Sequence, residues 1–581
     1  MEDVATEYYR ELLRRNLLQS DPLSYRNGGF TMHDLLRALA QFIAQGEYFS
    51  GEVATLARTS LASQEMKLRH LSISGDFLEI SPEIVKEHTS VRTLIILGIP
   101  TNTLPEDLFQ KLKCLRLLDL SKTNLMVVPE SASSLVHLRY LDFSGSMISR
   151  LPETIGNLSN LQYLILQACE QLSELPKSIA NLYKLRSIDL AGTRVIGIPA
   201  GIRQLIYLNR VINFVTNDQR IDGARKCYSS LEDLKPLINL RTITIVNLER
   251  AARAQGSILK DKIHIYHLKL SCSSEGWPYQ QEDIARIQDV FEERLFPPSS
   301  VENFTIEGYF GMEFPTWMKN RDLFLNLTRL DILKCRNCSQ LPLLGQLPLL
   351  DHLEIHGAWS IKHIGPEFMG SAGREAAFPK LKSLILEDMP EWEEWTWEAK
   401  DDARVMPVLE SLWIERCPRL KSLPQGLVHH ATNLSYIWIE ESHSLTVIEG
   451  FKSVQKAYLA RNNGFERLTD FPSVQVLEIE DCPALLHHVG VLPSLQMLIW
   501  RDSSMRFLPE WMLPHPVDPI FPNLQRMSIT VGDVLTLKRC LINGPDSAKI
   551  QHIPNVYMEV MDRPDFISFT KEPFRFLYKS S

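Results

Sequence analysis

An α/β solenoid of stacked short repeats is the fold this sequence predicts, and three observations predict it. One phrase is written four times between Leu115 and Leu205: LRLLDLSKTNLMVVPE, LRYLDFSGSMISRLPE, LQYLILQACEQLSELPK and LRSIDLAGTRVIGIPA. The opening residues Leu115, Leu138, Leu161 and Leu185 stand 23, 23 and 24 apart. Each copy then meets a proline, at Pro129, Pro152, Pro176 and Pro199. This period and pattern define a leucine-rich repeat. No single coil can bury its leucines alone, so the coils must stack into a horseshoe-shaped solenoid.

The elements of one coil follow from alternation. Leu118, Leu141, Leu164 and Ile188 take the fourth place, and Leu120, Phe143, Leu166 and Leu190 the sixth. A period of two sends these inward from a short strand and sends the residues between them outward. The ninth place holds Thr123, Ser146, Cys169 and Thr193, small groups able to hydrogen-bond backbone freed by the turn. After the proline, Ile155, Ile179 and Ile202 begin a short return segment.

At 581 residues the chain exceeds one ordinary compact core, a limit that does not bind a solenoid. Hydrophobic content of 44% with 23% charge is globular, and a net charge of -8 offers no footprint for nucleic acid or an anionic membrane. Nine cysteines stand mostly singly, no apolar run is long enough to span a bilayer, and MEDVATEYYRELLRR is not a signal peptide. Together these point to a reducing, intracellular setting: the cytoplasm, with the nucleus second.

From the N-terminus, EDVATEYYRELLRRNLLQ has helical spacing at Val4, Tyr8, Leu12 and Leu18, and SDPLSYRNGGF is turn chemistry. Then FTMHDLLRALAQFIA follows, in which Asp34 is placed to cap a helix carrying Leu35, Leu36, Leu39 and Ile43. Helix, ribbon and helix suit a small unit of the winged-helix kind over residues 1–50. Residues 51–67 read as a polar linker. The repeats occupy 68–532, about nineteen of them and irregular after 208, with later copies opening at Leu381, Leu409, Leu434, Val454, Val474, Leu495 and Leu524. EGWPYQQEDIARIQDVFEERL has helical spacing at Ile284, Ile287 and Val290. Residues 533–581 lose the pattern and read as a cap on the open end.

Met32-His33-Asp34 followed by LLRALAQ resembles the MHD motif that ends the nucleotide-binding module of plant NLR immune receptors. Residues 301–318 and 327–370, with their GYxGxxFPxW and LPxLGxLPxL runs, are similar to repeats of the coiled-coil-type members of that family. The resemblance covers essentially the whole chain, as the C-terminal portion of a receptor with an NB-ARC module and repeats. It implies that His33 contacts the β-phosphate of ADP where a nucleotide-binding module is present, Met32 packing in a core and Asp34 positioning. This sequence has no G-x-x-x-x-G-K-S/T phosphate loop, so no cofactor is expected for the chain itself. There His33 reads as a polar residue at a helix start. The missing module implies either a truncated record or a genuine short form.

Three constellations compete for a site. The outward third and fifth places, Leu117, Tyr140, Tyr163 and Ser187 beside Asp119, Asp142, Ile165 and Asp189, form two columns on the concave face suited to protein recognition. The bland alternative is that Leu-Asp phrasing is merely common in this repeat class. EDMPEWEEWTWEAKDD (387–402) packs acids around Trp392, Trp395 and Trp397 and reads as a docking loop for a basic partner, or as a structural insertion. Cys335-x-x-Cys338 lacks the second pair a zinc site needs and falls in repeat register, so it reads as structural. His264 with His267, His429-His430 and His487-His488 are not at metal-site spacing, and no metal is expected. The sequons at Asn157, Asn303, Asn326, Asn337 and Asn433 would stay bare without secretion.

No nucleophile–base–orienter set appears, which points away from an enzyme. The resemblance implies a plant defence protein, the recognition and autoinhibition part of an NLR receptor, binding a pathogen effector or a guarded host protein. A clamp of that kind would act in trans, on the nucleotide-binding region of another receptor, or not at all. Two alternatives are a free-standing leucine-rich scaffold in signalling, and an ADP/ATP-dependent switch if the nucleotide-binding domain is missing from a truncated sequence.

Overall fold

The computed structural model describes residues 2–20, 30–44, 46–52, 67–74, 89–97, 106–217, 228–273, 279–369, 376–397, 404–487, 489–513, 520–571 and 574–579. They divide into two compact units: residues 1–215 with 224–229, and residues 216–223 with 230–581.

In the first unit a helix, Glu2–Arg14, precedes a two-stranded antiparallel ribbon, Gln19–Ser20 with Phe30–Thr31, and a second helix, Asp34–Ile43. The turn 21–29 lies outside the described residues. A parallel ladder follows: Tyr48–Gly51, His70–Ser74, Thr93–Leu97, Leu117–Asp119, Tyr140–Asp142, Tyr163–Ile165, Ser187–Asp189 and Arg210–Val215, each paired with the next. The ladder therefore starts one strand before the predicted boundary. Tyr48-Phe49-Ser50-Gly51 carries no leucine phrase, so periodicity alone assigns it to helical unit and linker.

Within each regular coil the predicted parts are present. Leu118, Leu141, Leu164 and Ile188 are buried, as are Leu120, Phe143, Leu166 and Leu190. Each buried leucine contributes about 1.5–3 kcal/mol by leaving water. Two ninth-place residues close their own turns, Thr123 and Thr193 donating to Leu120 O and Leu190 O at 2.8 Å, while Cys169 Sγ donates to Phe143 O of the preceding coil at 3.1 Å. Pro129, Pro152 and Pro176 each immediately precede a 3₁₀ turn, Glu130–Ser134, Glu153–Asn157 and Lys177–Asn181, where their fixed φ costs nothing.

The second unit continues in the same way with longer strands. Its parallel ladder runs Thr242–Val246, His267–Ser271, Asn303–Glu307, Arg329–Leu333, His352–His356, Ser383–Glu387, Ser411–Glu415, Tyr436–Glu440, Lys456–Ala460, Val476–Glu480, Met497–Asp502, Arg526–Val531 and Asn555–Val560. Within 68–532 the described residues of the two ladders hold nineteen strands. The last strand lies inside the stretch predicted to be a cap. Its core residues are Val556, Met558 and Val560, which carry the alternation without any leucine. The ladder's edge is then covered by Phe566–Thr570 and Arg575–Lys579, both antiparallel, which changes the pairing direction and ends the stack. The helical spacing at Ile284, Ile287 and Val290 is realised as helix Gln281–Asp289 running into a π turn, Val290–Arg294.

Candidate protein-recognition surface

The outward columns of the first unit sit in direct register, Leu117 against Tyr140, Tyr163 and Ser187 in turn, and Asp119 against Asp142, Ile165 and Asp189. They are less open than alternation implies. Asp142, Ser187 and Asp189 are buried, and the tyrosines half-buried. Tyr140 OH donates to Asp142 Oδ2 at 2.8 Å, and its ring tilts against Tyr163 at 6.0 Å between centroids. Burial first, then the Asp142 carboxylate, raises the Tyr140 phenol well above its usual range. The carboxylates also serve the chain: Asp119, Asp142 and Asp189 accept from the backbone N–H of Ser121, Ser144 and Ala191 at 2.9, 2.8 and 3.0 Å. Each thus closes an Asx-type turn behind its strand. Asp189 also pairs with Arg210 at 3.1 Å, yet burial outweighs both partners and raises its carboxyl.

Sequence reasoning missed the corresponding place in the second unit. There the middle outward positions of three successive strands are Trp413, Trp438 and Tyr458, directly opposed in register. Trp413 and Trp438 stack with centroids 4.6 Å apart and planes 18° apart; Trp438 and Tyr458 stack at 3.6 Å and 22°. All three are half-buried. The next outward place along the strands holds Glu387, Glu415, Glu440 and Glu480, interrupted by Ala460. Aligning SLWIE, YIWIE and KAYLA by their inward residues exposes the signal; counting only repeat openings does not.

Three predicted features are corrected. The tryptophans of 387–402 do not form a docking loop: Trp392, Trp395 and Trp397 are 0%, 2% and 9% exposed. Their rings pack in sequence at 5.5 and 5.6 Å, and Trp392 Nε1 donates to Glu394 O at 3.0 Å. Trp395 lies in a short strand paired with His363–Ile364, while Glu391 and Glu393 point out to Arg419 and Lys421. Acids and indoles alternate, so one stretch supplies core and rim together; residues 398–403 lie outside the described residues. Second, the cap of helix Asp34–Ile43 is His33, whose Nδ1 accepts from Leu35 N at 3.3 Å; Asp34 instead pairs with Arg37 at 2.9 Å. His33 is therefore occupied on one ring nitrogen, at an exposed helix start. Third, Met32 is exposed rather than packed in a core, with no side chain of the helix after it buried.

The thiols of Cys335 and Cys338 are buried and turned to the carbonyls of Leu333 (3.6 Å) and Gly311 (3.2 Å). Burial pushes Cys335 and Cys417 to about 12. Among the described residues one His/Asp/Glu group converges, Asp331, His352 and Glu354. The guanidinium of Arg329 lies against both carboxylates, at 3.0 Å from Asp331 and 3.2 Å from Glu354, so the group is an ion-pair cluster. Sequon asparagines are likewise structural: Asn326, Asn337 and Asn433 donate to Ser299 O, Phe310 O and Pro407 O. No helix among the described residues is long and apolar enough to cross a membrane.

Residues 90–458 match the leucine-rich repeat region family. The chain is 32% identical over 447 residues to a disease resistance protein of Arabidopsis thaliana, covering 74% of this chain and 30% of that relative. It is 30% identical over 537 residues to disease resistance RPP13-like protein 1 of the same plant, covering 84% of this chain and 47% of the relative. It is 31% identical to disease resistance protein RGA2 of Solanum bulbocastanum, covering 77% and 44%. The chain thus spans less than half the length of these relatives. Among solved structures, a leucine-rich repeat protein of Leptospira interrogans aligns at 19% identity with a TM-score of 0.42, over 68% of this chain and 94% of that one. The chain belongs to the leucine-rich repeat family and, through its repeats, is homologous to plant disease resistance proteins.

Proposed function

We propose that this chain serves plant defence as a recognition protein, binding a pathogen effector or a guarded host protein on the outward face of its ladders. The observation that carries the reading is the register. Parallel pairing lines up outward side chains from successive coils into columns, and in both units those columns combine aromatic rings with carboxylates. Aromatic residues give large contact area at low entropic cost, as recognition surfaces require. The homology to disease resistance proteins supplies the setting.

The test is a binding screen of the chain against pathogen effector proteins, repeated with Tyr163→Ala and Trp438→Ala on the outward face and Lys177→Ala in a return turn. At least one effector should bind in a way that an outward substitution weakens about tenfold or more and Lys177→Ala leaves unchanged. Effectors that bind all variants alike would overturn the reading.

A second reading concerns residues 1–50, where the family resemblance places the end of a nucleotide-binding module. The exposed apolar face of helix Asp34–Ile43, with Leu35 and Ile43 75% and 74% exposed, favours docking against such a module. Phe42→Asp should abolish co-purification with the nucleotide-binding region of a relative such as RGA2, and retention by the variant argues against it.

A further inference from the structure

The stacked row Trp413–Trp438–Tyr458 lies on the face of the ladder opposite its core, since the inward neighbours Leu412, Ile414, Ile437, Ile439 and Leu459 fill the interior. Two strand separations of about 4.8 Å give the row a length of about 10 Å, the reach of about three extended residues. Tyr436 leans on Trp413 at 5.3 Å and widens the strip at one end. An aromatic strip of this kind is sequence-tolerant toward any apolar stem laid along it.

Charge narrows the choice. Beside the strip stand six glutamates, Glu387, Glu415, Glu440, Glu441, Glu478 and Glu480, paired with three guanidiniums, Arg416, Arg461 and Arg501, and with the imidazole of His356 at Glu387, while Glu440 and Glu480 also accept from Trp438 Nε1 and Tyr458 OH. Arg461 alone is shared among Glu440, Glu441 and Glu480. The surplus is felt at Glu415, whose carboxyl is raised by burial and then by Glu387. Ring faces attract cations, and carboxylates that must share one guanidinium have acceptor capacity left over. Lysine and arginine meet both demands at once, laying an aliphatic stem on the rings and a cationic head among the acids.

We propose that the strip Trp413–Trp438–Tyr458, with its flanking glutamates, docks an extended, lysine- and arginine-rich protein segment. This rests on the outward-face recognition reading above and names the chemistry of the partner.

The experiment uses the full chain and a fluorescein-labelled ten-residue peptide alternating arginine and lysine with glycine, read by anisotropy against salt. The comparison peptides carry glutamate, or acetyl-lysine and citrulline, at the basic places. The variants are Trp438→Leu, which keeps an apolar side chain, Glu480→Gln, which leaves the aromatic row intact, and Lys421→Gln away from the strip; circular dichroism verifies folding. Binding of the basic peptide alone, weakened about tenfold by Trp438→Leu and about threefold by Glu480→Gln, unchanged by Lys421→Gln and falling steeply with salt, is the expected result. No binding at low salt, equal binding by all variants, or equal binding of the neutral peptide overturns it. The outcome stays separable from the effector screen. An effector held through Tyr163 with no basic-peptide binding defeats this proposal alone, and peptide binding without any effector ligand defeats the defence reading alone.

Discussion

Trp438 lies face to face on Tyr458, with 3.6 Å between ring centroids and 22° between planes. The two residues are directly opposed on paired parallel strands, so the contact is a cross-strand stack rather than a core contact. Such a pair contributes about 0.5–1.5 kcal/mol beyond its buried area. Tyr458→Phe keeps the ring and loses only the 3.3 Å hydrogen bond to Glu480. Chemical denaturation should therefore rank Tyr458→Ala below Tyr458→Phe by at least about 1 kcal/mol, and equal losses would mean that the stack is idle.

Lys262 is buried with its ammonium donating to Lys235 O and Leu237 O at 3.2 and 3.1 Å. Burial lowers its pKa from 10.5 to about 8. Between those values the unfolded chain binds the proton that the folded chain has released, so this residue makes stability rise with pH from about 8 to about 10.5. Measured as the difference between the native chain and Lys262→Met, that rise should be absent in the variant.

The buried tryptophans give a sharp test of core against docking loop. Trp392→Ala should cost about 3–5 kcal/mol, the usual range for emptying an indole site. Gly426→Ala should also destabilise, because a Cβ there collides with the Trp397 indole. Thermal unfolding with near-ultraviolet dichroism reads both; unchanged midpoints would restore a surface loop.

Thiol labelling followed by mass spectrometry should modify Cys114, which is exposed, in the folded chain. Cys169, Cys272, Cys335, Cys338, Cys417, Cys482 and Cys540 are buried and should label only after unfolding. Rapid native labelling of Cys335 and Cys338 together would point to redox or metal chemistry at that pair.

The regular coils were legible residue by residue. Leu118, Leu141 and Leu164, the ninth-place hydroxyls and the prolines before each 3₁₀ turn all occupy places that local alternation and φ restriction dictate. Tyr48–Gly51 and Asn555–Val560 were not, because each joins a ladder without the leucines that mark the repeat. The helix cap was placed one residue off, on Asp34 instead of His33, since histidine and aspartate in sequence both offer a side-chain acceptor and only backbone geometry selects the cap.

By itself the sequence determined that this protein is a leucine-rich repeat solenoid, because inward leucines at a fixed period leave stacking as the way to bury them. It determined the outward columns of the uniform coils as well, since equal spacing makes register readable. Tertiary structure alone decided that Trp413, Trp438 and Tyr458 meet, and that Trp392, Trp395 and Trp397 turn inward. Where coil lengths vary, register is set by how each connecting segment packs, and neighbours across strands cannot be counted along the chain.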